Sequence, residues 1–223
     1  MALVVENVSI VLQPRVEAFW RRTKSQLPLP LINDLSFSVE PGEILTVAGP
    51  SGVGKSTLLA FISGHLDGNF SAEGRVICDG IDITRIAPEK RRMGMLFQDD
   101  LLFPHLSVGE NLSFGLSALV RGKAERKRRI EKALADASLT GFEHRDPATL
   151  SGGQRARIAL MRALLSEPKA LLLDEPFGKL DASLRLDIRE FVFSHARSER
   201  LPVVMVTHDM EDAEAALGPM IRL

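Results

Sequence analysis

Chemistry gathers at five places in this 223-residue chain. The run Gly49-Pro50-Ser51-Gly52-Val53-Gly54-Lys55-Ser56, followed by Thr57, spaces its glycines so that successive backbone N–H groups can turn inward around phosphate oxygens. Lys55 adds a point charge for β and γ phosphates, and Ser56 a hydroxyl for magnesium. Asp174 and Glu175 form an adjacent carboxylate pair. Asp174 is expected to face the magnesium shell, and Glu175, one residue further on, to polarise a water for in-line attack on a γ-phosphate. His208, in Val206-Thr207-His208-Asp209, suits a hydrogen bond to that phosphate and to the attacking water. Gln98 follows Met95-Leu96-Phe97 and gains its interest from the company of the others. The fifth place is Leu150-Ser151-Gly152-Gly153-Gln154, which opens a helix with an apolar face through Ile158, Met161, Leu164 and Leu165. Its free N–H groups and dipole favour an anion. One complete phosphate cradle is already present, so a second anion-seeking helix start points to a site completed between two molecules.

These residues need a frame that brings them together. Apolar runs at Ile44 to Ala48, Met93 to Phe97, Ala170 to Leu173 and Val203 to Val206 read as buried strands separated by helical or mixed segments, the pattern of an α/β fold with a parallel sheet. Each run ends at a residue able to touch a nucleotide, and open α/β sheets bind ligands at that edge. Pro41-Gly42 turns the chain into the first run, and a helix is expected from Ser56 to Ile62. Residues 3 to 12 and 31 to 40 alternate as half-buried strands. Between them, Gln13 to Pro30 carries Arg15, Arg21, Arg22 and Lys24 beside Phe19 and Trp20. It reads as an exposed loop or hairpin arm, with an adenine-stacking Phe19 or Trp20 as the alternative. From Asp99 to Thr149 helices and loops prevail. Its basic run, Arg121 to Arg129, leads into Ile130, Leu134 and Leu139 and reads as the solvated face of a helix.

A formal charge of −1 offers no electrostatic case for nucleic acid as the main ligand. Cys78 stands alone, so neither a disulfide framework nor a thiolate zinc site is expected. The N-terminus lacks the pattern of a signal peptide, and no apolar run approaches the ~20 residues that span a bilayer. A membrane role would come through a partner.

Taken together these motifs resemble the nucleotide-binding subunit of ATP-binding-cassette (ABC) transporters, over nearly the whole chain. Walker A at Gly49 to Thr57, Q-loop Gln98, signature Leu150 to Gln154, Walker B at Ala170 to Glu175, D-loop Asp181 and switch His208 stand in family order. Asp174-Glu175-Pro176-Phe177 with Leu180-Asp181-Ala182-Ser183-Leu184-Arg185 is similar to bacterial importer ATPases of the thiamine, iron and polyamine group. Asp146 to Arg157 is similar to the YnjD-type ATPases. The resemblance implies a P-loop NTPase core of residues 1–98 and 151–223 with an N-terminal antiparallel β subdomain, and an inserted helical subdomain of residues 99–150. It implies ATP and Mg2+, the metal held through Ser56, Gln98 and Asp174, and hydrolysis carried by Glu175, His208, Gln98 and Lys55. It further implies a second cassette, most simply a homodimer, with each ATP between one Walker A and the opposing signature and Asp181 at the subunit contact. A transmembrane permease would dock near Asp99 to Gly115, where Phe103, Pro104 and Leu106 are candidates for an apolar groove. Solute import with a periplasmic solute-binding protein, at the cytoplasmic face of the plasma membrane, is the implied setting. The alternative is the same cassette driving a signalling or cell-envelope machine without solute movement.

Three features depart from the family pattern. The chain has no tyrosine, and Leu12 or Gln13 stands where an adenine-stacking aromatic is usual. Gly178-Lys179 replaces the usual small polar or alanine pair before Leu180-Asp181. The sequence ends at Leu223, soon after His208, where a final hairpin is usual.

Overall fold

A computed structural model describes residues 2–13 and 28–223; Phe19 and Trp20 lie outside the described residues. The chain opens with β1 (Leu3–Leu12) and β2 (Leu29–Val39), then β3 (Ile44–Ala48), α1 (Lys55–Ser63), β4 (Phe70–Cys78) and β5 (Ile81–Asp82). After α2 (Pro88–Arg91) and β6 (Met93–Leu96) come α3 (Val108–Gly115) and α4 (Lys123–Asp136). The order closes with α5 (Gly152–Leu164), β7 (Ala170–Asp174), α6 (Ala182–Ser198), β8 (Val203–Thr207), α7 (Met210–Ala215) and β9 (Met220–Arg222).

Two sheets organise these elements. An antiparallel sheet runs β2-β1-β4-β5, and a five-stranded sheet runs β6-β7-β8-β3-β9, every pair in it parallel. The expected α/β class with an N-terminal antiparallel sheet is therefore present.

Alternation along the central strands sorts their side chains into two cores. Leu45, Val47, Leu172, Val204 and Val206 pack with α1 and the antiparallel sheet. Ile44, Leu171, Leu173, Val203 and Met205 face the other way, into a core with α5, α6 and the apolar residues of α3 and α4. Both faces are covered, which is why these strands read as unbroken apolar runs.

Local expectations hold with small shifts. The second expected run ends at Leu96 rather than Phe97, which is 41% exposed. Ile130 and Leu134 are buried on α4, while Leu139 is buried beyond the helix end. On the outer face, Arg128 and Arg129 close on Glu125, whose carboxyl is held down to about 2 by their hydrogen bonds. Strands β4, β5 and β9 were not expected. The last adds a parallel edge strand beside β3, with Leu223 N–H donating to Ala48 O at 2.9 Å.

Candidate active site

Strand register sets the site. Ala48 lies opposite Thr207, and Asp174 opposite Val206. The next residue of each strand, Gly49, Glu175 and His208, thus emerges at one carboxyl edge of the sheet. Glu175 leaves β7 in the left-handed region, φ 45°, with its N–H donating to Val206 O at 3.0 Å.

The glycine-rich loop passes from β3 into α1. Gly54 caps that helix at φ 109°, which a side chain rarely adopts, and no side chain caps the helix. Its first N–H groups and the positive end of its dipole are left for an anion. At Gly49 a Cβ would stand 2.9 Å from Leu223 O, so the β9 segment buttresses the loop from behind.

Lys55 is 5% exposed, and its Nζ donates to Gly49 O at 2.8 Å and Pro50 O at 3.0 Å. The same ammonium lies 3.7 Å from Glu175 Oε1, and His208 Nδ1 lies 3.1 Å from Glu175 Oε2. Glu175 is thus shared between the lysine of the loop and the imidazole of the neighbouring strand. Ser56 Oγ donates to Asp174 Oδ1 at 2.9 Å. Burial pushes the Asp174 carboxyl above its usual range, against the hydrogen bond from Ser56 and the charge of Lys55. A desolvated carboxylate beside a hydroxyl, at the mouth of a phosphate cradle, is an oxygen donor set that suits a hard divalent cation.

Gln98 is exposed after β6. It makes no hydrogen bond to Ser56 or Asp174 and lies against Gly178 instead, where a Cβ would be 3.2 Å from its Nε2. The departure at Gly178-Lys179 therefore has a local reading: glycine leaves room for Gln98, and Lys179 pairs with Asp99.

The Leu150–Gln154 segment opens α5, the helix expected there. Ser151 Oγ accepts from Gln154 N at 3.3 Å, and Ser151 N donates to Gln154 Oε1 at 3.0 Å, a closed capping box. Gly152 and Gly153, the first two helical residues, keep N–H groups that no turn of the helix can use. A Cβ on Gly153 would meet Leu184 Cδ1 at 2.3 Å, so this helix start nests on α6. Among the described residues no hydrogen bond or ion pair joins Leu150–Gln154 to residues 49–57. Asp181 caps α6, its carboxylate held low by hydrogen bonds from Leu184 N and Ser183 Oγ.

A groove of about 610 Å³ lies away from this edge, between β6, α3 and α5. Met93, Met95, Phe103, Phe114, Leu116 and Leu119 line it, with Phe114 69% and Leu119 78% exposed. Phe103 meets Phe114 edge-on at 4.7 Å, and Arg162 lies over Phe103 at 5.3 Å. Of the three residues expected there, Phe103 lines it and Pro104 and Leu106 do not. Their place is taken by residues of α3 and the turn after it, which short-range patterning does not connect with β6.

Sequence reasoning also missed an ionic cluster beside the site. Arg185, one turn into α6, reaches Asp209 and Asp212 around the start of α7. The available signal was its position four residues after Asp181.

No described helix is long and apolar enough to cross a membrane. The sequence pattern of the ABC transporter family matches residues 32–178. The uncharacterized ABC transporter ATP-binding protein YnjD of Escherichia coli (strain K12) is 49% identical over 185 residues, covering 83% of this chain and 85% of that protein. The sulfate/thiosulfate import ATP-binding protein CysA of Nocardia farcinica is 46% identical, over 82% of this chain and 54% of its own length. The spermidine/putrescine import ATP-binding protein PotA of Nitrosomonas europaea is 42% identical, over 82% and 50%. The chain thus spans about half the length of these two importer proteins. Among solved structures, the ATP-binding cassette MJ0796, dimeric in a post-hydrolysis state with ADP and Pi, aligns over 99% of this chain and 94% of its own at TM-score 0.78 and 29% identity. The match of residues 32–178 to the family pattern and the identity with these relatives place the chain in the ABC transporter family as an ATP-binding and ATP-hydrolysing cassette.

Proposed function

We propose that this cassette works as a head-to-tail pair that hydrolyses ATP to drive solute import through a separate transmembrane permease. The observation that carries the proposal is the joint placement of Lys55, Glu175 and His208 at one sheet edge, with Ser56 bonded to Asp174 beside them. The helix start at Leu150 to Gln154, which no described hydrogen bond or ion pair joins to residues 49–57, and the dimeric state of the aligned cassette support the pairing. The names of the CysA and PotA relatives support import.

In this reading the loop from Gly49 to Thr57 holds the phosphates, and Lys55 leaves its carbonyl partners for the γ-phosphate. Glu175, released from Lys55, takes a proton from the attacking water as the new P–O bond forms and the β–γ bridge breaks, giving ADP and Pi. His208 orients that water and the γ-phosphate. Ser56, Gln98 and Asp174 would hold Mg2+, which when bound offsets charge on the phosphate oxygens. Gln98 would reach the metal by moving from its place beside Gly178.

Residues 99–150 serve as the helical subdomain, and the groove beside Phe103 and Phe114 receives the permease at the cytoplasmic face of the plasma membrane. A periplasmic solute-binding protein would choose the cargo.

Two measurements test the proposal. Glu175→Gln is expected to lower turnover by at least about 100-fold, in the range of lost base catalysis, while retaining ATP and trapping a dimer. Turnover near the parent rate would remove Glu175 from the mechanism. Purification with the native membrane partner is expected to bring down a multi-span permease. A scaffold of few spans would instead favour a non-transport envelope machine.

A further inference from the structure

The helix that starts at Asp181 and the helix that follows His208 are tied together by an ionic cluster outside the phosphate site. Arg185 N–H donates to Asp181 O at 2.8 Å in the first turn of α6. Its guanidinium forks onto Asp212, with Nε to Oδ1 at 3.0 Å and Nη2 to Oδ2 at 2.5 Å, and reaches Asp209 Oδ2 at 2.7 Å. Arg189, one turn later, donates to Asp212 Oδ1 and to Glu211 O, each at 3.3 Å.

Asp212 is 2% exposed, Arg189 14% and Arg185 20%, so solvent screens the cluster weakly. Asp209 divides its carboxylate. Oδ1 accepts from Glu211 N at 2.8 Å and starts α7, while Oδ2 takes Arg185. The residue before it is His208, whose Nδ1 lies 3.1 Å from Glu175.

A continuous set of contacts therefore runs from Asp181 through α6 and Arg185 to Asp209, His208 and Glu175. Packing alone would be served as well by apolar side chains of similar volume. What a bidentate fork adds is a fixed orientation between its two ends.

We propose that Arg185 is a positioning residue that ties the Asp181 loop to the His208 loop. Seating of Asp181 against a second cassette is then carried to the imidazole that orients the attacking water. Movement at the subunit contact and alignment at the phosphate become one event. The inference rests on the proposed roles of Glu175 and His208, and its test separates the two.

The test compares the parent with Arg185→Lys, Arg185→Met and Asp209→Asn. For each, kcat and KM for ATP are measured per nucleotide-binding chain, with the bound fraction counted by fluorescent ADP. Arg185→Lys keeps the charge but loses the fork, and is expected to lower kcat about tenfold with KM within about twofold, the signature of misorientation rather than lost binding. Asp209→Asn should act in the same direction. In a His208→Ala background, Arg185→Met should cost no further turnover, because its effect passes through that imidazole. A merely stabilising role would lower the amount of folded chain and leave kcat per bound nucleotide unchanged. The proposal fails if Arg185→Lys keeps kcat within about twofold of the parent, or if the losses from Arg185→Met and His208→Ala multiply as independent sites do. An active Glu175→Gln enzyme would instead overturn the underlying catalytic reading, whatever Arg185 does.

Discussion

Asp174 and Glu175 are sequence neighbours in different surroundings. Asp174 ends the buried strand with Ser56 on one oxygen, and burial raises its carboxyl above the usual range. Glu175 turns out of the strand and is shared by Lys55 and His208. The sequence distinguished them by one residue of reach, because a strand end separates a buried position from an exposed one at that spacing. The raised Asp174 carboxyl has a consequence for stability. Between the ordinary carboxylate value and the raised one, the folded chain binds a proton that the unfolded chain has lost, so stability falls as pH rises through that window. Above the window the full cost is present. Asp174→Asn is therefore expected to raise the melting temperature of the nucleotide-free chain at pH 7.5, with the difference shrinking as pH falls toward the ordinary carboxylate value. The same variant should lose the gain in nucleotide affinity on adding magnesium. Thermal denaturation across pH 4 to 8 and nucleotide titrations with and without Mg2+ check both effects; an equal or lower melting temperature at pH 7.5 would contradict the assignment.

At the scale of elements, legibility followed the environment of each strand. Strands β3, β7 and β8 are covered on both faces, so each showed as an apolar run. Strand β4 is half-buried and exposed by turns up to Arg75, with only Val76 and Cys78 buried, and contains Glu73, Gly74 and Arg75, where a Cβ on Gly74 would meet backbone of Asn7 and Glu6 at 2.7 Å. Its pairing with β1 jumps register between Glu6 and Ser9, so no short window of sequence carries the pattern. Strand β9 has three residues, and only its parallel partner defines it. Helix spacing is set just as locally by single atoms. A Cβ on Gly115 would lie 2.2 Å from Arg162 O, a backbone atom that cannot rotate away, so glycine lets α3 close on α5 beneath the groove. Gly115→Ala is expected to cost about 2 kcal/mol by overpacking and to weaken capture of the permease. Gly68 has no positive φ, and a Cβ there would meet nothing within 4 Å. It should tolerate alanine with a change of about 0.5 kcal/mol or less. Urea denaturation of the two variants makes the comparison, and equal midpoints would remove the close approach as a determinant of packing.

For the molecule as a whole, two phosphate-seeking helix starts on one chain demand an arrangement that neither states alone. In a head-to-tail pair, a chain damaged at Lys55 still lends its Ser151 cradle, and a chain damaged at Ser151 still lends its phosphate loop. Mixing inactive Lys55→Ala and Ser151→Ala chains should restore up to about a quarter of parental hydrolysis, since half the random dimers are mixed and one of their two sites is whole. No recovery on mixing, with each variant folded, would contradict a shared site. The sequence by itself determined what depends on neighbours along the chain: glycines that free backbone N–H groups, the Ser151 cap, apolar strands with polar ends, and from these the ATP chemistry and the family. Only the tertiary structure decided the contacts between distant segments. It seats Gln98 against Gly178 rather than at Ser56, backs Gly49 with Leu223, opens the groove between β6 and α3, and clamps Arg185 across Asp209 and Asp212. Those contacts depend on how helices and sheets stack, and a stack is set by summed packing over the whole chain, which no local spacing records.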